Sequence, residues 1–207
     1  MPPFTTPDPH GDGPAPPVSA DPRYVVLLAG PPASGKSVLG EALAGDTGAA
    51  LLDQDVMTGP LTTALSNALD AGGDLDHPLL RRATRQAAYD ALLDTAVHNV
   101  EAGNSVVTVA PFTTERTDAA AWEKVRRRVE RAGAEARLLW LDCPDEELLR
   151  RMRERSAVRD SSKLADTSAF LASPALRPPT VEHAVIDATA PLADQVRLAR
   201  RALPVRR

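Results

Sequence analysis

The run Gly30-Pro31-Pro32-Ala33-Ser34-Gly35-Lys36-Ser37 has the residue types and spacing of GxxxxGK[ST]. Each part has a chemical use. Glycines let backbone N–H groups turn inward around phosphate oxygens, and a helix start adds partial positive charge. Lys36 can reach the β- and γ-phosphates, and Ser37 can ligate Mg²⁺. Val38 follows inside the same first turn and completes the candidate phosphate-binding stretch. A second cluster lies in "LLDQDVMTGPL" (51–61), where Asp53 and Asp55 are two residues apart. On an extended segment, such residues point the same way. Two carboxylates so placed divide a phosphoryl transfer between them. One would hold the metal's water shell, and the other would take the proton of an attacking hydroxyl. The alternative for Asp55 is a helix cap.

These groups need elements to position them, and the chain supplies alternating strands and helices. "YVVLLA" (24–29) is a continuous apolar run, as expected of a strand buried on both faces. A helix is predicted from Ser37 to Asp46, and a short strand over 49–53. Asp76–Pro78 reads as a helix start with proline in its first turn, and helical spacing then runs to Gly103. Strands follow at 105–110, 136–142 and 183–188. Between them lie a helix carrying Trp122, Val125 and Val129, and one opened by Pro144 with an acidic start and an arginine-rich end. Leu192 to Leu203 forms a last helix. The alternation predicts a five-stranded parallel sheet covered on both sides, an α/β/α sandwich. Both candidate clusters then fall at the carboxyl edge of the sheet, where open α/β folds bind ligands.

Composition narrows the function. The chain has 207 residues, a formal charge of −4 and only 3% aromatic residues. That balance disfavours a nucleic-acid protein, which presents a basic face with stacking aromatics. No apolar run approaches the roughly 18 residues of a membrane span. Cys143 is the only cysteine, so no internal disulfide is possible and a reducing cytoplasm is expected. Residues 1–22 hold eight prolines and one large apolar side chain, and read as a disordered tail rather than a signal peptide. Residues 23–207 form the expected domain. An Asn-Lys-x-Asp base-reading motif is absent from the sequence, and its Asp-x-x-Gly matches at Asp8 and Asp70 fall in the tail and in a loop.

A phosphate-binding loop followed by Asp-x-Asp after the second strand resembles the P-loop small-molecule kinases related to shikimate kinase, gluconate kinase and chloramphenicol phosphotransferase. The resemblance spans roughly Tyr24 to Leu203. It implies a P-loop NTPase fold with ATP and Mg²⁺ bound by Gly30 to Ser37, Asp53 near the metal, and Asp55 at the hydroxyl of a small-molecule acceptor. It also implies an arginine-bearing lid at about 155–165, within "RRMRERSAVRDSSKL" (150–164), with Arg155 and Arg159 as the lid residues. Arg150, Arg151 and Arg153 read instead as a solvated face. Asp187, after the fifth strand, takes by analogy the place where these kinases pass the adenine. The third strand ends in "VAPFTTERTD" (109–118), without the glycine-rich turn of shikimate kinase or a carboxylate at the strand end. Shikimate is therefore disfavoured, Asp53 must carry more of the metal, and Arg116 becomes a candidate for an anionic acceptor group. Two other readings remain open: a zeta-toxin-like kinase of nucleotide sugars, and a P-loop ATPase or nucleotide-sensing module with a protein partner.

Overall fold

The computed structural model describes residues 22–68, 78–157 and 160–205. Almost all of the proline-rich tail, the expected helix start at Asp76, and Arg159 lie outside the described residues. Five strands, β1 (Tyr24–Ala29), β2 (Ala50–Asp53), β3 (Val106–Val109), β4 (Glu135–Asp142) and β5 (Ala184–Asp187), make one sheet in the order β2-β3-β1-β4-β5. Every pairing is parallel. The helices are α1 (Lys36–Thr47), α2 (Gln54–Ala68), α3 (Pro78–Glu101), α4 (Ala119–Arg131), α5 (Asp145–Arg155), α6 (Ser161–Ala165), α7 (Thr167–Leu171) and α8 (Leu192–Arg201). The five-stranded parallel sheet with helices on both faces is the predicted architecture.

Strand alternation divides the core in two. Val25, Leu27 and Ala29 of β1 face a cluster with Tyr89, Leu92 and Ala96 of α3 and Trp122, Val125 and Val129 of α4. Tyr24, Val26 and Leu28 face the other cluster, with Leu39 and Leu43 of α1, Leu148 of α5 and Ala199 of α8. β1 and β3 are buried along their whole length, which is why β1 reads as an unbroken apolar run and β3 as a run with one polar residue. The one polar residue in β3, Thr108, is fully buried and donates its hydroxyl to the Val26 carbonyl at 2.7 Å. Helix ends follow local chemistry. Asp118 caps α4 by accepting from the N–H groups of Ala120 and Ala121. Gly48, at φ 69°, ends α1 in the left-handed conformation.

α2 has no counterpart among the predicted elements. It starts directly from β2, contains Pro60, and buries only Ser66, so its sequence carries no clear apolar stripe. α1, in contrast, is pressed onto the sheet at Gly40, where an added Cβ would lie 2.6 Å from Val109 Cγ2. Gly45 in the same helix has open space at that position. Gly40→Val should therefore overpack the α1–sheet contact at a cost of about 1–3 kcal/mol, lowering Tm by roughly 2–10 °C. Gly45→Ala should raise Tm slightly, by removing a helix-interior glycine worth roughly 0.5–1 kcal/mol. Thermal denaturation followed by circular dichroism reads both, and equal shifts in the same direction would refute the packing account.

Candidate active site

The phosphate-binding loop leaves β1 through Gly30. An added Cβ there would sit 2.9 Å from both the Leu141 carbonyl and Ser34 Oγ, so only glycine fits. Ala33 (φ 63°) and Gly35 (φ 101°) are both left-handed, which turns successive N–H groups toward one concavity. Gly35 is the N-cap of α1 and provides no side-chain cap. The first-turn N–H groups and the positive end of the helix dipole therefore lack a capping side chain, as an anion site requires. Ser34 Oγ is buried without a hydrogen-bond partner among the described residues. Lys36 Nζ donates to the Pro31 carbonyl at 2.7 Å, holding the amine over the loop. Pro32 is partly buried, and Val38 is exposed on the first turn. These residues fit a phosphate chain.

Beside the loop, Ser37 Oγ donates to Asp53 Oδ2 at 2.6 Å. This contact joins α1 to the carboxyl end of β2. Among the described residues no group of three or more His, Cys, Asp or Glu could hold a metal by itself. Mg²⁺ suits such a place, since it is usually held by one or two protein oxygens together with phosphate oxygens and water. Asp53 and Asp55 do not lie on one extended segment, as expected from their spacing. β2 ends at Asp53 and α2 begins at Gln54, so Asp55 is in the first turn of a helix. The capping role falls to Asp53, whose Oδ1 accepts the Asp55 N–H at 2.9 Å. Asp53 thus has one oxygen on the Ser37 hydroxyl and one on the helix start.

Arg116 requires a correction. It was a candidate for an anionic acceptor group, but its side chain is fully buried. Nε donates to the Arg177 carbonyl, Nη1 to Pro111, and Nη2 to both Pro174 and Ala175, at 2.8–3.2 Å. The guanidinium also lies 4.9 Å from the Trp140 ring centroid. Its donors are spent on backbone, so it is a structural clamp between the loop after β3 and the chain entering β5.

The arginines of α5 also redistribute. Arg155 bonds Asp160 Oδ2 through Nε and Nη2, at 3.0 and 2.6 Å, and Asp160 is almost fully buried. Any lid role for Arg155 would require that pair to part. Arg151, read from sequence as solvated, reaches the nucleotide side instead. It donates to the carbonyls of Ser34 in the loop and Ala188 after β5, both at 2.8 Å, and to Glu147 at 2.6 Å. The only sequence signal for it was the Glu147 spacing, which points equally to an exposed i,i+4 pair. Arg150 is such a pair, bonded to Glu147 and Glu154 on the surface. Asp187 Oδ1 accepts from the Thr189 N–H and hydroxyl at 2.7 Å, and these bonds hold its carboxyl below the usual range. It shapes the loop that presents Ala188. Cys143 is buried, and burial pushes its thiol up, the opposite of an activated nucleophile.

With this geometry in place, the known proteins can be compared. A family model described as an AAA domain matches residues 25–179, more than half of the chain. The chain belongs to this AAA-domain family. Its fold is that of the P-loop kinases. A gluconokinase from Sinorhizobium meliloti shares 22% identity over 87% of this chain and 94% of its own, with a TM-score of 0.55. A sugar kinase from a Janibacter species shares 19% identity over 87% and 94%, with a TM-score of 0.60. The Mycobacterium tuberculosis APS kinase, solved with AMPPNP and APS, shares 18% identity over 87% and 97%, with a TM-score of 0.53. No curated protein matches the chain. Among the described residues no helix is long and apolar enough to cross a membrane.

Arg116→Lys keeps the charge but replaces a planar fork of donors with one ammonium, which cannot reach all four carbonyls. Each buried acceptor left unsatisfied costs roughly 1–3 kcal/mol. The variant should lose several kcal/mol of stability in urea titration while retaining nucleotide affinity under native conditions. Wild-type stability with selective loss of acceptor binding would restore Arg116 to the acceptor site.

Proposed function

We propose that this protein is an ATP-dependent kinase that transfers a γ-phosphoryl group to a hydroxyl of a small molecule. The observation that carries the reading is the Ser37–Asp53 hydrogen bond, which joins an uncapped phosphate-binding helix to a strand-end carboxylate beside Asp55. The kinase fold of the structural neighbours supports it.

In this reading the N–H groups of residues 33–37 and Lys36 hold the β- and γ-phosphates of ATP. Ser37 and Asp53 would hold Mg²⁺, and the ion would supply charge neutralisation for the phosphates. Arg151 keeps the loop and the segment after β5 in register, and the adenine would pass beside that segment. Asp55, on the first turn of α2, orients the acceptor hydroxyl and takes its proton as the oxygen attacks phosphorus in line with the departing ADP. The transition state is loose, so the base contributes mainly by positioning and late proton transfer. The lid arginines, Arg155 and Arg159, would stabilise charge on the transferred group after closure.

Two substitutions test the assignment together. Lys36→Ala should abolish acceptor-dependent ADP release while leaving the circular dichroism spectrum and Tm intact, since a half-buried lysine at the first position of α1 adds little to the core. Asp55→Asn should lower kcat by about 10²–10⁴-fold, the usual contribution of a positioned base, with the KM for Mg·ATP nearly unchanged. Asp53→Asn should instead raise the Mg²⁺ concentration needed for half-maximal turnover. Normal turnover of Asp55→Asn with an identified acceptor would remove its assigned role. ADP release independent of any acceptor would favour an ATPase module over a kinase.

A further inference from the structure

The sheet order sets the direction in which a bound nucleotide would run. The phosphate-binding loop follows β1, the middle strand of β2-β3-β1-β4-β5. Ser37 and Asp53, assigned to the metal, meet at the end of β2, to one side of that strand. Metal-bridged β- and γ-phosphates therefore belong on the β2 side, and the nucleoside leaves toward β4 and β5. On that side, Arg151 bonds the Ser34 and Ala188 carbonyls through Nη1 and Nη2, both at 2.8 Å. The segment after β5 thus stands one guanidinium's width from the phosphate loop. Asp187 and Thr189 on it are exposed, so a base can reach them.

The hydrogen-bond donors of this segment are already used. The Ala188 N–H donates to the Asp142 carbonyl at 2.7 Å, and the Ala190 N–H to the Asp187 carbonyl at 3.3 Å. The N–H and the hydroxyl of Thr189 both donate to Asp187 Oδ1 at 2.7 Å. The Ala188 carbonyl is used as well. It has two lone pairs and two donors, Arg151 Nη2 at 2.8 Å and the buried Gln195 amide at 3.4 Å. What this edge still offers is an acceptor, because Asp187 Oδ2 takes no hydrogen bond among the described residues.

The two purines differ at the edge that such a segment would meet. Adenine presents an amine donor at N6 and an acceptor at N1, whereas guanine presents donors at N1 and N2 and an acceptor at O6. Reading adenine N1 or guanine O6 takes a donor, and residues 188–190 have none left. An exposed carboxylate oxygen takes an amine hydrogen from either base. Guanine has no dedicated reader either, since an Asn-Lys-x-Asp motif is absent from the sequence. Stacking and phosphate contacts, the remaining sources of affinity, are common to both nucleotides. A site with hydrogen bonds built to its ligand rejects the wrong one by about 10⁴–10⁵-fold, and this segment lacks that means.

We propose that the segment after β5 leaves the phosphate-donor site indifferent to the purine base, so that ATP and GTP bind alike. The inference rests on the kinase reading for the course of the nucleotide, but binding is measured apart from turnover. The full chain is titrated calorimetrically, with Mg²⁺ present, against AMPPNP, GMPPNP and inorganic tripolyphosphate. The two analogues should bind within about tenfold of each other and compete for the same site. Asp187→Ala, at an exposed position, removes the acceptor and frees the N–H and hydroxyl of Thr189. It should therefore shift the affinity ratio toward AMPPNP by about 3–10-fold, the worth of one hydrogen bond, with tripolyphosphate affinity within about twofold of wild type. A merely structural Asp187 would move all three ligands together. A wild-type preference beyond about tenfold, binding of neither analogue, or a ratio in the folded variant that does not move toward AMPPNP overturns the proposal. Should that variant fail to fold, the wild-type ratio still decides. Equal binding of both analogues without acceptor-dependent ADP release would leave this inference standing and defeat the kinase reading instead.

Discussion

Four backbone carbonyls converge on the Arg116 guanidinium, and the geometry of the sheet's carboxyl edge depends on that convergence. Three of the four, Pro174, Ala175 and Arg177, are 58 to 61 residues away in sequence, beyond β4, α5, α6 and α7. Without it, the segment between α7 and β5 would leave carbonyls desolvated and unpaired, and the loop after β3 would lose its clamp. Burying an arginine is costly unless its donors are used, and here four of the five N–H groups meet backbone carbonyls. Trp140 completes the arrangement by offering its ring face to the cation. The edge is thereby clamped at β3, next to β2 and its terminal carboxylate, Asp53. A site for phosphoryl transfer has to be of this kind, because its rate depends on positioning more than on new covalent chemistry.

How much of this was legible in the sequence depended on the distance between partners. The strands were readable because burial on both faces leaves a continuous apolar run, and the phosphate loop was readable because its function is encoded in eight consecutive residues. Arg116 was misread because none of its distant partners leaves a trace near position 116. An arginine in a loop at a ligand-bearing edge looks the same whether it faces solvent or backbone. Arg151 was misread for the opposite reason. It lies in an arginine-rich helix end that reads as a solvated face, it has a local partner in Glu147, and its contact to Ser34 is 117 residues away.

The Asp53–Asp55 pair illustrates a third case, in which the spacing pointed to a geometry that the fold does not have. Period-two reasoning holds only while the strand lasts, and β2 stops at Asp53. The signal for the change was weak. α2 has glycine, proline and three threonines in its first ten residues, and almost nothing in it is buried. Threonine hydroxyls at 58, 62 and 63 bond back to carbonyls four residues earlier, a habit that lowers helix propensity. Such a helix is held by where it starts, and it starts at the Asp53 side chain. That carboxylate therefore couples two tasks: it nucleates the helix that carries Asp55 and it bonds the hydroxyl of the phosphate-binding helix.

Arg151 extends the same logic to the other side of the loop. Its two long-range acceptors are backbone carbonyls, one in the phosphate-binding loop and one after β5, so a single planar group sets the spacing between them. A lysine has its donors on one nitrogen and cannot bridge two carbonyls while also facing Glu147. The Glu147 contact roots this bridge in the first turn of α5, and α5 runs on to Arg155 and the buried Asp160. The path from the phosphate loop to Asp160 is therefore one helix long and contains a charge-assisted bond at each end. Motion of the segment beyond α5 relative to the phosphate loop must either break the Arg155–Asp160 pair or carry Arg151 with it. Of the two, the Arg155 pair is the one that can part with α5 left in place, since Arg151 is held at three points on three different elements.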